Sequence, residues 1–312
     1  MATNLSQNRF SIPILFVVFN RLDTAERVFE KIKELQPQKL YIAADGPRVN
    51  KEGEQEKCNE VRALAKKVDW ECELKTLFRE QNLGCAKAVS GAISWFFENE
   101  EMGIILEDDC LPHADFFPYC QELLEKHKDN SRISMISGSN FQEGHKRGNA
   151  SYYFSAIPLI WGWATWRRTW QNYDLYLNNY SLTDFKKNIK PYFSFYERLV
   201  WKDRFLSMKK RENNTWDYQF VFHIWKQQGL CIVPNVNLVT NIGLDSGTHF
   251  EKIATNHKFF IQSAPILPLV HPKQIQQDKQ ADTFYYKQFV HKNIFRLIYR
   301  KTKRLFCSKS KF

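Results

Sequence analysis

Short apolar runs alternate along this chain with stretches in which apolar residues recur every three or four positions. Ile12 to Phe19 is the first such run and predicts a buried strand. Ala25, Val28, Ile32 and Leu35 then follow helical spacing, with Asp23 or Thr24 placed to cap the helix. Lys39 to Ala44 predicts a second strand, closed by the turn Asp45-Gly46-Pro47. A polar helix is expected from Glu54 to Val68, with Val61, Leu64, Ala65 and Val68 facing inward. Glu73 to Phe78 reads as a third strand. Gly84 opens a helix that carries Val89, Ile93, Phe96 and Phe97 on one side. Ile104-Ile105-Leu106 is apolar without alternation, the mark of a strand covered on both faces. Such strand-helix alternation predicts an α/β fold with a mostly parallel sheet and helices on both of its faces.

Beyond Pro112 the pattern becomes mixed α+β. Phe116 to His127 is a helix and Ile133 to Ile136 a short strand. Trp161-Gly162-Trp163-Ala164-Thr165-Trp166, Trp170 and the stretch Tyr192 to Trp201 are dense in aromatics. Aromatic faces can stack on sugar rings or simply fill a core; core filling is the reading for most of them, with Trp163 beside its glycine as the exception. Thr215-Trp216-Asp217 begins a helix to about Gln228, with Phe220, Ile224 and Trp225 inward. Cys231 to Val239 predicts a strand, and Asn241 to Phe250 a loop in which Gly243 and Gly247 give hinge freedom.

Chemistry concentrates where the Ile104–Leu106 strand ends, in Glu107-Asp108-Asp109. Ligands of open α/β sheets bind outside the carboxyl ends of the strands, which is where these three carboxylates fall. Strand alternation places Glu107 and Asp109 on one face and Asp108 on the other. Hard oxygens on a rigid strand end suit Mn²⁺ or Mg²⁺, with a diphosphate supplying further ligands. The competing reading is an acidic loop start that only faces water. No GxGxxG, P-loop or protein-kinase motif set is present.

Composition narrows the rest. With 312 residues, 43% hydrophobic and 15% aromatic, the chain can bury the core of one large α/β domain or two small ones. No apolar run approaches the roughly 20 residues of a membrane span. Met1 to Arg9 is too polar for a signal peptide, so a cytoplasmic location is expected. The seven cysteines are odd in number and form no CxxC pair, which favours reduced thiols. Of the net charge of +11, residues 283–312 carry +9 and the remainder only +2. In that tail Val290, Ile294, Leu297, Ile298 and Leu305 share one helical face, while Lys292, Arg296, Arg300 and Lys303 share the other. This predicts a basic C-terminal helix in which residues 287–312 lie on an anionic membrane surface, peripheral to the inner face of the cytoplasmic membrane. Packing on the body and non-specific nucleic-acid binding are the alternatives; no specific nucleic-acid partner is expected.

Taken in order, these segments resemble the metal-dependent GT-A glycosyltransferases of the N-acetylglucosaminyltransferase I type and related bacterial sugar transferases, over about Ile12 to Phe250. The resemblance rests on Phe19-Asn20-Arg21 after the first strand, Asp45 after the second, Glu107-Asp108-Asp109, Trp216-Asp217 at the start of a late helix, and the Gly243 to Phe250 loop. It implies that residues 1–112 form a nucleotide-sugar-binding half, 113–270 an acceptor and catalytic-base half of the same continuous domain, and 271–312 the basic amphipathic tail. It further implies that Phe19 and Arg21 border the nucleotide, that Asp45 contacts uracil and that Asp109 binds the metal. Glu107 and Asp108 would hold metal-bound water or the ribose. Asp217 is the implied base for an acceptor hydroxyl, on a saccharide or lipid-linked saccharide of surface-polysaccharide assembly. His249 could reach the diphosphate from a closing loop. The histidine that the family carries in the helix after the third strand is absent; Lys87 occupies that neighbourhood and could neutralise diphosphate or stand in solvent. Two other classes compete. A sugar-nucleotide pyrophosphorylase would share fold and metal but carry a glycine-rich loop where Phe19-Asn20-Arg21 stands. A non-catalytic membrane or nucleic-acid adaptor would use the tail alone.

Overall fold

Each apolar run of the first half is followed by an amphipathic helix that returns the chain to the same end of the sheet, so the strands line up in parallel. The structure is a computed structural model and describes residues 9–211, 214–243 and 262–290. Strands β1 (Ile14–Val18), β2 (Lys39–Ala44), β3 (Glu73–Phe78) and β4 (Met102–Glu107) are separated by helices α1 (Leu22–Leu35), α2 (Glu54–Arg62) and α3 (Cys85–Asn99). They lie side by side in the order β3-β2-β1-β4, all parallel. Ile104, Ile105 and Leu106 are sealed from solvent, as a centrally placed strand requires. β3 lies at the sheet edge and keeps polar residues half exposed, which accounts for its alternation.

The second half extends the same sheet. It supplies β5 (Cys110–Pro112), α4 (Phe116–Lys126), β6 (Ile133–Ser137), β7 (Tyr152–Ser155), β8 (Trp163–Trp166), α5 (Arg167–Trp170), α6 (Leu182–Ile189), α7 (Phe195–Lys209), α8 (Asp217–Lys226), β9 (Leu230–Pro234) and β10 (Val239–Asn241). The eight-stranded order is β3-β2-β1-β4-β8-β6-β9-β7, with β8 and β7 antiparallel to their neighbours. β5 and β10 form a separate two-stranded ribbon. The architecture thus has the expected α/β form, a mostly parallel sheet flanked by helices.

Local expectations differ in four places. Neither Asp23 nor Thr24 caps α1, which begins at Leu22 with Arg21 as its flanking residue. The helix expected to reach Val68 leaves α geometry at Arg62 and tightens into a 3-10 turn over Ala63–Lys67. The single strand expected over Cys231 to Val239 is two. Pro234 has no N–H to continue the ladder, and the side chains of Asn235 and Asn237 bond backbone carbonyls across a turn. Trp163, the expected exception among the tryptophans, is fully buried and stacks on Trp216 at 5.9 Å, so it fills core rather than a sugar platform.

Aromatic rings also hold α6, α7 and α8 together. Phe185 stacks on Phe205 with centroids 4.2 Å apart, and Trp201 meets Trp225 edge-on at 4.9 Å. Fully burying one such side chain contributes roughly 1.5–3 kcal/mol, so this cluster anchors α8 firmly. A final helix, α9 (Lys279–Tyr285), packs on β7 through Asp282, which accepts from Ser155 Oγ and the Ala156 N–H. Of the predicted tail helix, Val290 is buried on the body. Residues 291–312, with the other named positions of both faces, lie outside the described residues. No described helix is long and apolar enough to cross a membrane.

Candidate functional site

Register brings the carboxylates to one place. β1 pairs with β4 so that Val17 stands beside Glu107, and both strands end at the same edge of the sheet. Beyond β1 the chain runs Phe19-Asn20-Arg21 into α1; beyond β4 it turns through Asp108 and Asp109 into β5. That turn ends the strand alternation. Asp108 and Asp109 are not on opposite faces, because the same Arg21 Nη2 donates to Asp108 Oδ1 and, at 2.9 Å, to Asp109 Oδ2. The expectation that Glu107 pairs with Asp109 across from Asp108 is therefore corrected. Alternation holds only while the backbone stays extended, and it stops at Glu107.

The charge balance is unfavourable as it stands. Burial, then Asp109 and Asp108, hold the Glu107 carboxyl well above the ordinary range, with Arg21 opposing. Burial also raises Asp108, against the pull of Arg21. Desolvation works against the charge on Arg21, but Asp108 and Asp109 more than offset it and keep the guanidinium firmly protonated. Among the described residues Arg21 is thus the cation seated at the triplet, and it pairs directly with Asp108 and Asp109.

The other wall is the N-terminus of α3. Asp45, at the end of β2, accepts from the N–H groups of Gly46 and Gly84, each at 3.0 Å, and of Leu83 at 3.0 and 3.1 Å. Its carboxylate therefore holds the loop that leads into α3. Gly84 at φ +76 is conformationally required there, and a Cβ would also meet Asn214 Nδ2 at 2.9 Å. Asn214 Oδ1 in turn accepts from the Ala86 N–H at 3.2 Å, tying α3 to the segment that opens α8. Asp217 is the first residue of α8, and the Thr215 hydroxyl donates to its Oδ1. Cys85 is an exposed residue, yet its thiol is pushed up to about 12, by desolvation first and then by the charges of Glu107, Asp217 and Asp45. The charges of all three carboxylates are thus felt at the first turn of α3. Lys87 is exposed on the same helix.

The third wall is the β5–β10 ribbon. The Ile242 N–H donates to the Asp109 carbonyl at 2.8 Å, and a Cβ on Gly243 would strike Arg21 Nη1 at 2.5 Å and Asp109 Oδ2 at 2.6 Å. Only a glycine lets the backbone pass so close to the triplet. Residues 244–250, His249 among them, lie outside the described residues.

Direct contacts thus join Arg21, Asp108 and Asp109 next to Glu107 at the end of β4, while Asp45 binds the entrance of α3 and Asp217 opens α8. Phe19 follows β1, with the Arg48 guanidinium 5.7 Å from its ring centroid. Sequence reasoning missed Arg48, Glu54, Cys85 and Asn214. Glu54 is buried, accepts from Asn20 at 3.0 Å and from Arg48, and is held down to about 2, chiefly by its Arg48 hydrogen bonds. No local pattern marks these residues, since each acts across a loop.

Among the described residues no three His, Cys, Asp or Glu side chains converge closely enough to enclose an ion. The donor chemistry nevertheless fits a divalent cation: hard oxygens, more negative charge than Arg21 balances, and a guanidinium already seated between two of them. Two cavities, of about 240 and 430 Å³, lie elsewhere, one along α8 near His223 and Lys226, the other near Arg9 and Glu71.

No protein-family model matches the chain, and no curated protein matches it. Solved structures give distant likenesses. The mannosyltransferase PcManGT from Pyrobaculum calidifontis, in complex with GDP-Man and Mn²⁺, is 13% identical at TM-score 0.38, over 69% of this chain and 70% of that one. S. aureus TarS 1–349 is 8% identical at TM-score 0.43, over 79% and 74%. An apo UDP-glucose pyrophosphorylase is 10% identical at TM-score 0.38, over 74% and 93%. Likeness at this level says nothing of substrate.

Proposed function

We propose that the protein is a metal-dependent, inverting glycosyltransferase that moves a sugar from a UDP-sugar to a hydroxyl of a saccharide or lipid-linked saccharide. The observation that supports this reading is that Arg21 draws Asp108 and Asp109 together at the end of β4, while the segment that opens α8 with Asp217 is tied to the first turn of α3 by the Asn214–Ala86 hydrogen bond. Separated carboxylates of this kind suit a displacement in which one group faces the leaving diphosphate and another faces the attacking hydroxyl.

In this reading Asp109, with Glu107 and Asp108 beside it, would hold Mn²⁺ or Mg²⁺. Bound there, the ion supplies Lewis-acid stabilisation of a departing diphosphate. Arg21 holds Asp108 and Asp109 in place and supplies positive charge at the same edge. Asp45 positions the loop at Leu83 and Gly84, where a uracil contact is expected by resemblance. Asp217 accepts the proton of the acceptor hydroxyl, and the Thr215 hydroxyl orients its carboxylate. Lys87 and His249 stay as proposed diphosphate contacts.

The test is turnover of UDP-sugars with Mn²⁺, compared between the wild type and Asp217→Asn. The variant should bind the donor as before and release UDP about 10²- to 10⁴-fold more slowly, the usual cost of losing a general base. Equal rates would remove Asp217 from the chemistry. Consumption of UTP and a sugar 1-phosphate with release of pyrophosphate would establish the pyrophosphorylase alternative instead.

A further inference from the structure

The hairpin of α6 and α7 presents an apolar tip that the candidate site does not use. Eight large hydrophobic side chains are strongly exposed among the described residues, and three of them, Phe195, Tyr196 and Leu199, fall within five positions at the start of α7. Their exposures of 62%, 70% and 46% mean that they project from the surface rather than line a groove. They are also rigidly presented. Ser194 and Glu197 form a reciprocal capping box that fixes the first turn of α7, and the Phe195 and Tyr196 rings meet edge-on at 5.8 Å.

The surroundings of this tip are basic. Lys186, Lys187 and Lys190, at the end of α6, are all exposed. Residues 186–211 hold nine Lys or Arg against only Glu197 and Asp203, a net +7. Residues 283–312 carry +9 of the chain's +11, so the residues outside these two stretches sum to a net −5, and the excess of positive charge falls in the two stretches. Glu197 is buried and committed to its cap, and the exposed acid of α6, Asp184, accepts from the Ser181 hydroxyl.

We propose that the α6–α7 tip is a docking surface for an anionic lipid bilayer, with Phe195, Tyr196 and Leu199 entering the headgroup region and the flanking lysines meeting lipid phosphates. Aromatic side chains favour the membrane–water interface, and basic residues beside an apolar helix face add attraction to anionic lipid. A single-stranded nucleic acid would also meet positive charge and aromatics, but base stacking needs open ring faces along a groove. Here the two rings meet edge-on at the start of one helix, and the Arg198 guanidinium lies 6.0 Å from the Phe195 centroid, so they form no row of parallel stacking faces. The surface is formed by residues of α6 and α7, and the inference does not depend on the transferase reading.

The test uses the full chain, vesicles containing phosphatidylglycerol, and vesicles of phosphatidylcholine alone. The wild type should sediment with the anionic vesicles at low salt. The triple variant Phe195→Ser, Tyr196→Ser, Leu199→Ser should lose that partition by at least about tenfold, because apolar burial and charge act together in interfacial binding. All three side chains are exposed, so its thermal unfolding should match the wild type. Hydrogen exchange separates this surface from the tail: vesicles should slow exchange over residues 190–200 in the wild type. Binding that persists in the triple variant, or that leaves residues 190–200 unprotected, would overturn the proposal. So would a change in oligomeric state, or loss of oligonucleotide binding, as the variant's main effect.

Discussion

Asp282 should make the fold less stable as the pH rises from about 4 to about 6. It lies on α9 and is 4% exposed, and its carboxyl accepts from Ser155 Oγ, the Ala156 N–H and Gln277 Nε2. Burial nevertheless dominates and raises its pKa from 3.8 to about 6, with those hydrogen bonds pulling the other way. A carboxyl whose folded pKa exceeds its unfolded one binds protons more tightly in the folded state. Its stabilising contribution is therefore complete below about pH 4, declines as the pH rises, and is gone above about 6. Two pKa units correspond to about 3 kcal/mol at about 1.4 kcal/mol per unit. Asp282→Asn removes the titration while keeping one acceptor oxygen for the β7 contacts. Urea unfolding of both proteins at several pH values from 4 to 7.5 isolates this effect, because all other titrating groups cancel in the difference. The wild type should gain on the variant by about 2 kcal/mol between neutral pH and pH 4, most of the full amount. A difference that stays flat across this range would show that the hydrogen bonds, not burial, govern Asp282.

Further outcomes follow from the site. Asp109→Ala should abolish Mn²⁺-dependent UDP binding, measured by calorimetry, while circular dichroism and melting temperature stay close to the wild type; retained binding would remove Asp109 from the metal site. Gly84→Ala should cost about 1–3 kcal/mol in denaturant unfolding, from the positive φ and the approach of Asn214. If that variant is as stable as the wild type, the α3 entrance is less constrained than its geometry implies.

The part of the molecule legible in the sequence is the part whose information is local. Ile104–Leu106 declares a doubly covered strand in three residues, and β2 and β3 have the predicted limits because turns close both of them. The triplet was legible for the same reason: its location follows from the strand before it. What was lost was relational. Arg21 reads as a charge before a helix until the β1–β4 register sets it against Asp108 and Asp109. Asp45 reads as an Asp-Gly turn, which it is, but its larger task of holding Leu83 and Gly84 spans nearly 40 positions. Trp163 failed as a sugar platform because its neighbour across the core, Trp216, is more than 50 positions away.

These relations bear on what the cleft can bind. Two segments touch the triplet directly, the end of β1 through Arg21 and the β10 end through Gly243, while Asp45 and Asn214 fix the first turn of α3. Each is fixed by a contact to backbone or to a charged group, so the carboxylates cannot easily separate to relieve their mutual repulsion. Arg21 neutralises Asp108 and Asp109 in part, but Glu107 is left raised by burial and by both aspartates. A rigid frame that holds carboxylates together against their own charge is costly to the folded state, because burying an unbalanced charge is unfavourable. Adding positive charge at the triplet lowers that cost, which would give the proposed cation binding a driving force from the protein itself.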